Sequence, residues 1–292
     1  MAQKNQEIND LLVDVTIKSK ALEVISSKLS KYLSPQLYNS IFSGNREVHI
    51  ESRRCKLTVF FSDIVGFTEI TESLEAEDLT ALLNEYLNAM AKIALKYGGT
   101  IDKFIGDAIM IFFGDPESHG VREDALACVS MALEMRSKIA ELKAKWSVQG
   151  FQKQFDARMG INTGYCTVGN FGSNDRMDYT IIGGQVNIAS RLETMAPTGG
   201  ILISHETYSL IRENIYCEES GEVTLKGIFS PIRTYIVQNH YNLLSGKDRI
   251  IDIASPKDDS FSIKVNLDTL HSDNKDLLIH HLESVLFRIK NS

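Results

Sequence analysis

Residues 60–71, FFSDIVGFTEIT, and residues 102–114, DKFIGDAIMIFFG, decide how this chain folds. The first begins inside the apolar run 57–63, LTVFFSD, which is short and rich in β-branched and aromatic residues. Such a run predicts a buried strand that ends at Asp63, with IVGFT opening a helix behind it. Residues 77–99, EDLTALLNEYLNAMAKIALKYGG, repeat their apolar positions with helical spacing and finish on two glycines, which predicts a long amphipathic helix with a glycine stop. The stretch 100–114 then predicts two strands joined by a tight turn at Gly106 and Asp107.

Working outward, residues 122–146 predict a second long helix, and the polar stretch 147–154, SVQGFQKQ, a connector. Strands are expected at 157–163, ARMGINT, and 165–171, YCTVGNF, meeting at Gly164. The segment DYTIIGG, 178–184, leads into a helix near 185–195, QVNIASRLETM, which Pro197 and Gly199 terminate. A strand ILIS, a short helix ETYSLI, and the strands EVTLKGI and IRTYIV complete the set. Strands that alternate with helices but include a hairpin imply an α/β sheet of mixed direction with flanking helices, not a fully parallel sheet.

The ends differ from this middle. Ile8, Leu11, Val15, Leu22, Ile25, Leu29 and Tyr32 occupy the a and d positions of one heptad frame, which predicts a short helical stalk able to pair in parallel as a coiled coil. Ser34 and Pro35 suit the start of a second short helix over 36–42. After His240 the chain becomes polar and turn-rich, followed by the amphipathic stretch LLIHHLESVLFRIK. The expected organisation is therefore 1–46 as stalk and linking helix, 47–240 as the catalytic domain, and 241–292 as a C-terminal extension without an assigned role. A net charge of -7 argues against a surface made for nucleic acid. The four cysteines, Cys55, Cys128, Cys166 and Cys217, are scattered without zinc-site spacing, as expected of a cytoplasmic protein. No apolar run is long enough to cross a bilayer, so no membrane segment is expected in this chain.

Two carboxylates stand at predicted strand ends, Asp63 and Asp107. If those strands are neighbours, the pair can share divalent cations that clamp the attacking and leaving oxygens in phosphoryl transfer. Backbone amides after Asp63, around Gly66 and Thr68, suit phosphate oxygens. On spacing alone, a turn aspartate and a helix-capping aspartate explain the same residues equally well.

Taken together, FFSDIVGFTEIT, DKFIGDAIMIFFG and IIGGQVNIASRLE (181–193) resemble the signature set of the class III adenylate and guanylate cyclases, in the family's order and over roughly Lys56 to Val237. The closest resemblance is to bacterial adenylate cyclases. It implies a ferredoxin-like α/β catalytic domain, active as a head-to-tail homodimer with two sites at the interface. Asp63 and Asp107 match the family's metal-binding aspartates, with the Ile64 carbonyl as a further ligand, and two Mg2+ or Mn2+ ions are implied per site. Asn187 matches the ribose-orienting asparagine and Arg191 the transition-state arginine, one helical turn apart. Lys226 matches the lysine that holds the terminal phosphates, and Phe67 either lines the nucleotide pocket or belongs to the core.

Lys103 and Thr180 match the two purine-specifying positions. Lysine can only donate, which suits the N1 acceptor of adenine and not the N1–H of guanine. A threonine hydroxyl can accept from the adenine amino group but can also donate, so its contribution to discrimination stays open. The implied function is conversion of ATP to cyclic AMP and pyrophosphate, with input from an upstream sensor domain or protein. The alternatives are a guanylate cyclase and a catalytically silent dimerisation module.

Overall fold

The computed structural model describes residues 2–30, 38, 51–151, 155–173, 175–224, 231–241, 250–254, 262–266, 278–279 and 281–285. In chain order the helices are α1 (Ala2–Leu29), α2 (Phe67–Thr71), α3 (Ala76–Lys96), α4 (Val121–Val148), α5 (Gly184–Met195) and α6 (His205–Ile211). The strands are β1 (Ser52–Ile64), β2 (Thr100–Ile105), β3 (Ala108–Phe113), β4 (Ala157–Gly172), β5 (Met177–Ile182), β6 (Ile201–Ser204), β7 (Ile215–Val223), β8 (Ile232–His240), β9 (Ile250–Ala254) and β10 (Ser262–Asn266). Two compact units result, one of Met1–Glu213 with Cys217–Gln238 and one of Asn214–Tyr216 with Asn239–Ser292.

An eight-stranded mixed sheet runs in the order β2-β3-β1-β4-β6-β8-β7, with β5 paired to β4. β1 lies antiparallel to both β3 and β4, β2 antiparallel to β3, and β4 parallel to β6. The first four strands, with α3 and α4 as crossovers, thus have the ferredoxin-like order and put the Asp63 end of β1 beside the β2–β3 turn. In the second unit, β9 and β10 pair antiparallel within the expected extension.

Side chains alternate across β1, and each face has its own cover. On one face Ser62 meets the Tyr86 hydroxyl of α3 at 3.2 Å, and Thr58 meets Thr163, which in turn meets Thr207 of α6. Phe155 sits edge-on to Tyr86 and Trp146 in the same layer. The other face carries Leu57 and Val59, which pack with Met110, Phe112, Val168, Ile181 and Ala189 of α5.

The structure corrects the expected break at Gly164. β4 continues through it, pairing with β1 from Ser52 opposite Gly169 to Ile64 opposite Ala157. A Cβ at Gly164 would lie 2.6 Å from the Gln185 side chain, and one at Gly160 would lie 2.0 Å from the Glu193 amide nitrogen. These glycines admit α5 onto the strand and do not turn the chain. β7 also begins earlier than expected and ends at Val223.

The first helix is continuous over Ala2–Leu29, and Val15, Leu22 and Ile25 are more than half exposed on it. Tyr32 and most of the second short helix lie outside the described residues; Tyr38 is helical. No described helix is long and apolar enough to cross a membrane.

Candidate active site

Asp63 and Asp107 come together as the strand order requires. Asp63 is the penultimate residue of β1, and Asp107 follows Gly106, whose φ of 65° makes the β2–β3 turn tight. The Ile64 amide donates to Asp107 Oδ2 at 3.0 Å and ties the turn to the strand end. Asp107 is pushed up to about 6, chiefly by burial and then by its hydrogen bond to Asp63 and the charge there. Among the described residues no group of three or more acidic, histidine or cysteine side chains could hold a metal. Two carboxylates with an adjacent backbone carbonyl are the protein oxygens on offer.

Beyond Ile64, Gly66 adopts a left-handed conformation (φ 67°) and precedes α2, a helix of only five residues. Thr68 is exposed at its start. Phe67 turns edge-on to Phe155 with centroids 6.2 Å apart, so its ring joins the aromatic layer.

Two residues the sequence did not single out complete this corner. Arg158 is the register partner of Asp63 across β1 and β4, and its guanidinium lies 3.6 Å from Asp63 Oδ2. On its other side Arg158 Nε is 3.4 Å from Oε1 of Glu193 on α5. Glu193 is buried and is pushed up to about 7, by burial first and the charge of Asp63 second, with Arg158 opposing. An arginine in a strand carries no sequence signal of its own; only the pairing register reveals it.

Lys103 on β2 and Thr180 on β5 also meet: the ammonium donates to Thr180 Oγ1 at 3.3 Å. Below them lies Asp102, whose side chain is fully buried. Its Oδ2 accepts from the Thr180 hydroxyl at 2.6 Å and from the Ile181 amide at 3.4 Å, and its Oδ1 is 3.0 Å from the Lys103 ammonium. That last contact is a close charge pair whose angle is too bent for a hydrogen bond.

α5 carries Asn187, exposed, and Arg191, half-buried, one turn apart. Ile188, Ala189 and Leu192 of the same helix are buried and hold it to the sheet. Lys226 lies outside the described residues.

Residues 50–239 match the adenylate and guanylate cyclase catalytic domain. This chain belongs to that family. An adenylate cyclase of Anabaena cylindrica is 33% identical over 231 residues, which cover 75% of this chain and 44% of the relative. Among solved structures, the adenylyl cyclase CyaB from P. aeruginosa is 60% identical with a TM-score of 0.64, covering 65% of this chain and 97% of that one. The guanylyl cyclase Cya2 is 33% identical with a TM-score of 0.62, covering 66% and 97%. The cyclase chain described here spans less than half the length of the curated relatives it matches first. Both acidic strand ends, the Lys103–Thr180 contact and helix α5 fall within the matched span of the cyclase domain.

Proposed function

We propose that the chain is an adenylate cyclase converting ATP to 3′,5′-cyclic AMP and pyrophosphate at sites shared between two protomers. The observation that carries the choice of ATP is the Lys103–Thr180 contact at 3.3 Å, which places an obligate donor beside a hydroxyl as the N1 and amino edge of adenine requires. The 60% identity to an adenylyl cyclase of known structure supports the same choice.

Asp63, Asp107 and the Ile64 carbonyl fit Mg2+ or Mn2+. Burial, and then the neighbouring Asp63 carboxylate, raise the proton affinity of Asp107, and hard oxygens with room for phosphate and water are what these ions accept. Bound there, two divalent cations would supply charge neutralisation at the attacking and leaving oxygens.

In the reaction the ribose 3′-oxygen bonds to the α-phosphorus, the bond from that phosphorus to the bridging oxygen of pyrophosphate breaks, and the 3′-hydroxyl proton passes to solvent water. Asn187 orients the ribose, and Arg191 donates to charge growing on the α-phosphoryl oxygens. The resemblance assigns the phosphates to Gly66 and Thr68 and the terminal ones to Lys226. Asp63 and Asp107 come from one protomer and Lys103, Thr180, Asn187 and Arg191 from its partner, so a head-to-tail dimer has two complete sites. Pairing of the α1 stalks in parallel would couple an upstream sensor to the protomer angle.

Incubating the purified chain with Mn2+ or Mg2+ and either ATP or GTP, then separating the products, tests the reading. Cyclic AMP from ATP, abolished by Asp63→Ala, is the expected result. Cyclic GMP in preference would make the protein a guanylate cyclase, and no product from a verified dimer would favour the silent module.

A further inference from the structure

We infer that Asp102 is a positioning residue that sets purine specificity by fixing the direction of the Thr180 hydroxyl. This rests on the proposed adenylate cyclase activity and deepens it, because a hydroxyl that could turn either way would not discriminate adenine from guanine.

Thr180 has one proton and two lone pairs to share. A carboxylate can only accept, so Asp102 Oδ2, at 2.6 Å, takes the proton. The Lys103 ammonium donates to Thr180 Oγ1 from 3.3 Å and occupies one of its lone pairs. What remains is a single acceptor direction. Adenine offers an amino proton at its 6-position; guanine and hypoxanthine offer a carbonyl oxygen, and two acceptors would face each other. Lys103 keeps a proton for N1, which accepts in adenine and carries hydrogen in the other two bases. Both contacts therefore reject the 6-oxo purines, and Asp102 links them: it takes the threonine proton on one oxygen and balances the ammonium at 3.0 Å with the other.

Asp102 is held in place for this task. Its side chain is fully buried, and the Ile181 amide donates to the same Oδ2 at 3.4 Å, so neither water nor rotation relieves the threonine of its partner. The carboxylate does not itself reach the base.

The test compares kcat/KM for ATP, GTP and ITP in the full chain with Asp102→Asn, whose amide can donate to Thr180 and release the hydroxyl proton toward the base. The ATP-over-GTP and ATP-over-ITP ratios are expected to fall about tenfold or more, the scale of one reversed hydrogen bond. Asp102→Ser, smaller and neutral, is expected to act in the same direction and serves if the asparagine variant does not yield a verified dimer. In a Thr180→Val background, Asp102→Asn should change the ratios far less than it does in the wild type, because only its charge beside Lys103 is then lost. Equal losses with ATP, GTP and ITP, or an undiminished effect of Asp102→Asn without the threonine hydroxyl, would overturn the inference. A wild-type protein that prefers GTP or makes no cyclic nucleotide would instead remove the proposed function itself.

Discussion

At Asp63 the chain sets a carboxylate opposite Arg158, whose other side meets the buried carboxyl of Glu193. Because the folded protein raises Glu193 from 4.5 to about 7, it holds that proton more tightly than the unfolded chain. The stability this contributes is fully present below pH 4.5 and is lost as pH rises through about 7. Glu193→Gln is therefore expected to flatten the decline in metal-free stability between pH 5 and 8 by on the order of 2 kcal/mol, read from urea denaturation midpoints. An unchanged decline would place the proton elsewhere. Arg191→Ala should lower kcat by roughly 100-fold or more with a smaller change in KM, since its donors face charge that grows only in the transition state. Single residues are also where the sequence was least informative. Asp63 and Asp107 were legible as acids at strand ends within recognisable motifs. Arg158 and Asp102 were not, because their meaning depends on which residue lies across the β1–β4 ladder and on which side chain of β5 comes to rest against β2, and no local pattern encodes either.

The elements were legible wherever periodicity decides them: α3, α4 and the β2–β3 hairpin fall where the apolar spacing and turn residues put them. Gly164 misled because glycine serves equally for turning a chain and for admitting a neighbour. In β4 the alternate residues Gly160, Asn162 and Gly164 form a low track under α5, and the Asn162 amide donates to the Gln185 carbonyl at 2.9 Å and to Oε1 of its side chain at 2.8 Å. The two glycines differ in what they protect. A methyl at residue 160 would meet helix backbone, 2.0 Å from the Glu193 nitrogen and 2.4 Å from the Ala189 oxygen, so α5 as a whole must lift. At residue 164 only the Gln185 side chain must yield. Gly160→Ala should cost about 3 kcal/mol and Gly164→Ala about 1 kcal/mol. Denaturant titration of the two variants checks the order, and equal costs would mean α5 is free to shift on the sheet. Since α5 carries Asn187 and Arg191, Gly160→Ala should also reduce turnover in whatever folded protein remains.

On the scale of the whole molecule, the proposal divides one site between two chains, and that division has an arithmetic. Asp107→Ala removes an acid from the site formed with the partner's α5, while Arg191→Ala removes the arginine from the other site. Each variant alone forms dimers with two broken sites. Mixed in equal amounts and allowed to exchange, half the dimers are mixed, and each of those has one site lacking both residues and one lacking neither. Activity should therefore recover to about one quarter of wild type. Recovery that rises with exchange time and stops at that level would identify a composite site, whereas an inert mixture containing verified mixed dimers would place both residues in a site within one protomer. The exposed Leu22 and Ile25 of α1 bear on the same experiment, because a stalk that pairs in parallel would slow exchange. Changing both to glutamate should hasten recovery without altering its plateau. A lower plateau in that background would mean that the helix shapes the catalytic interface as well as holding the two chains together.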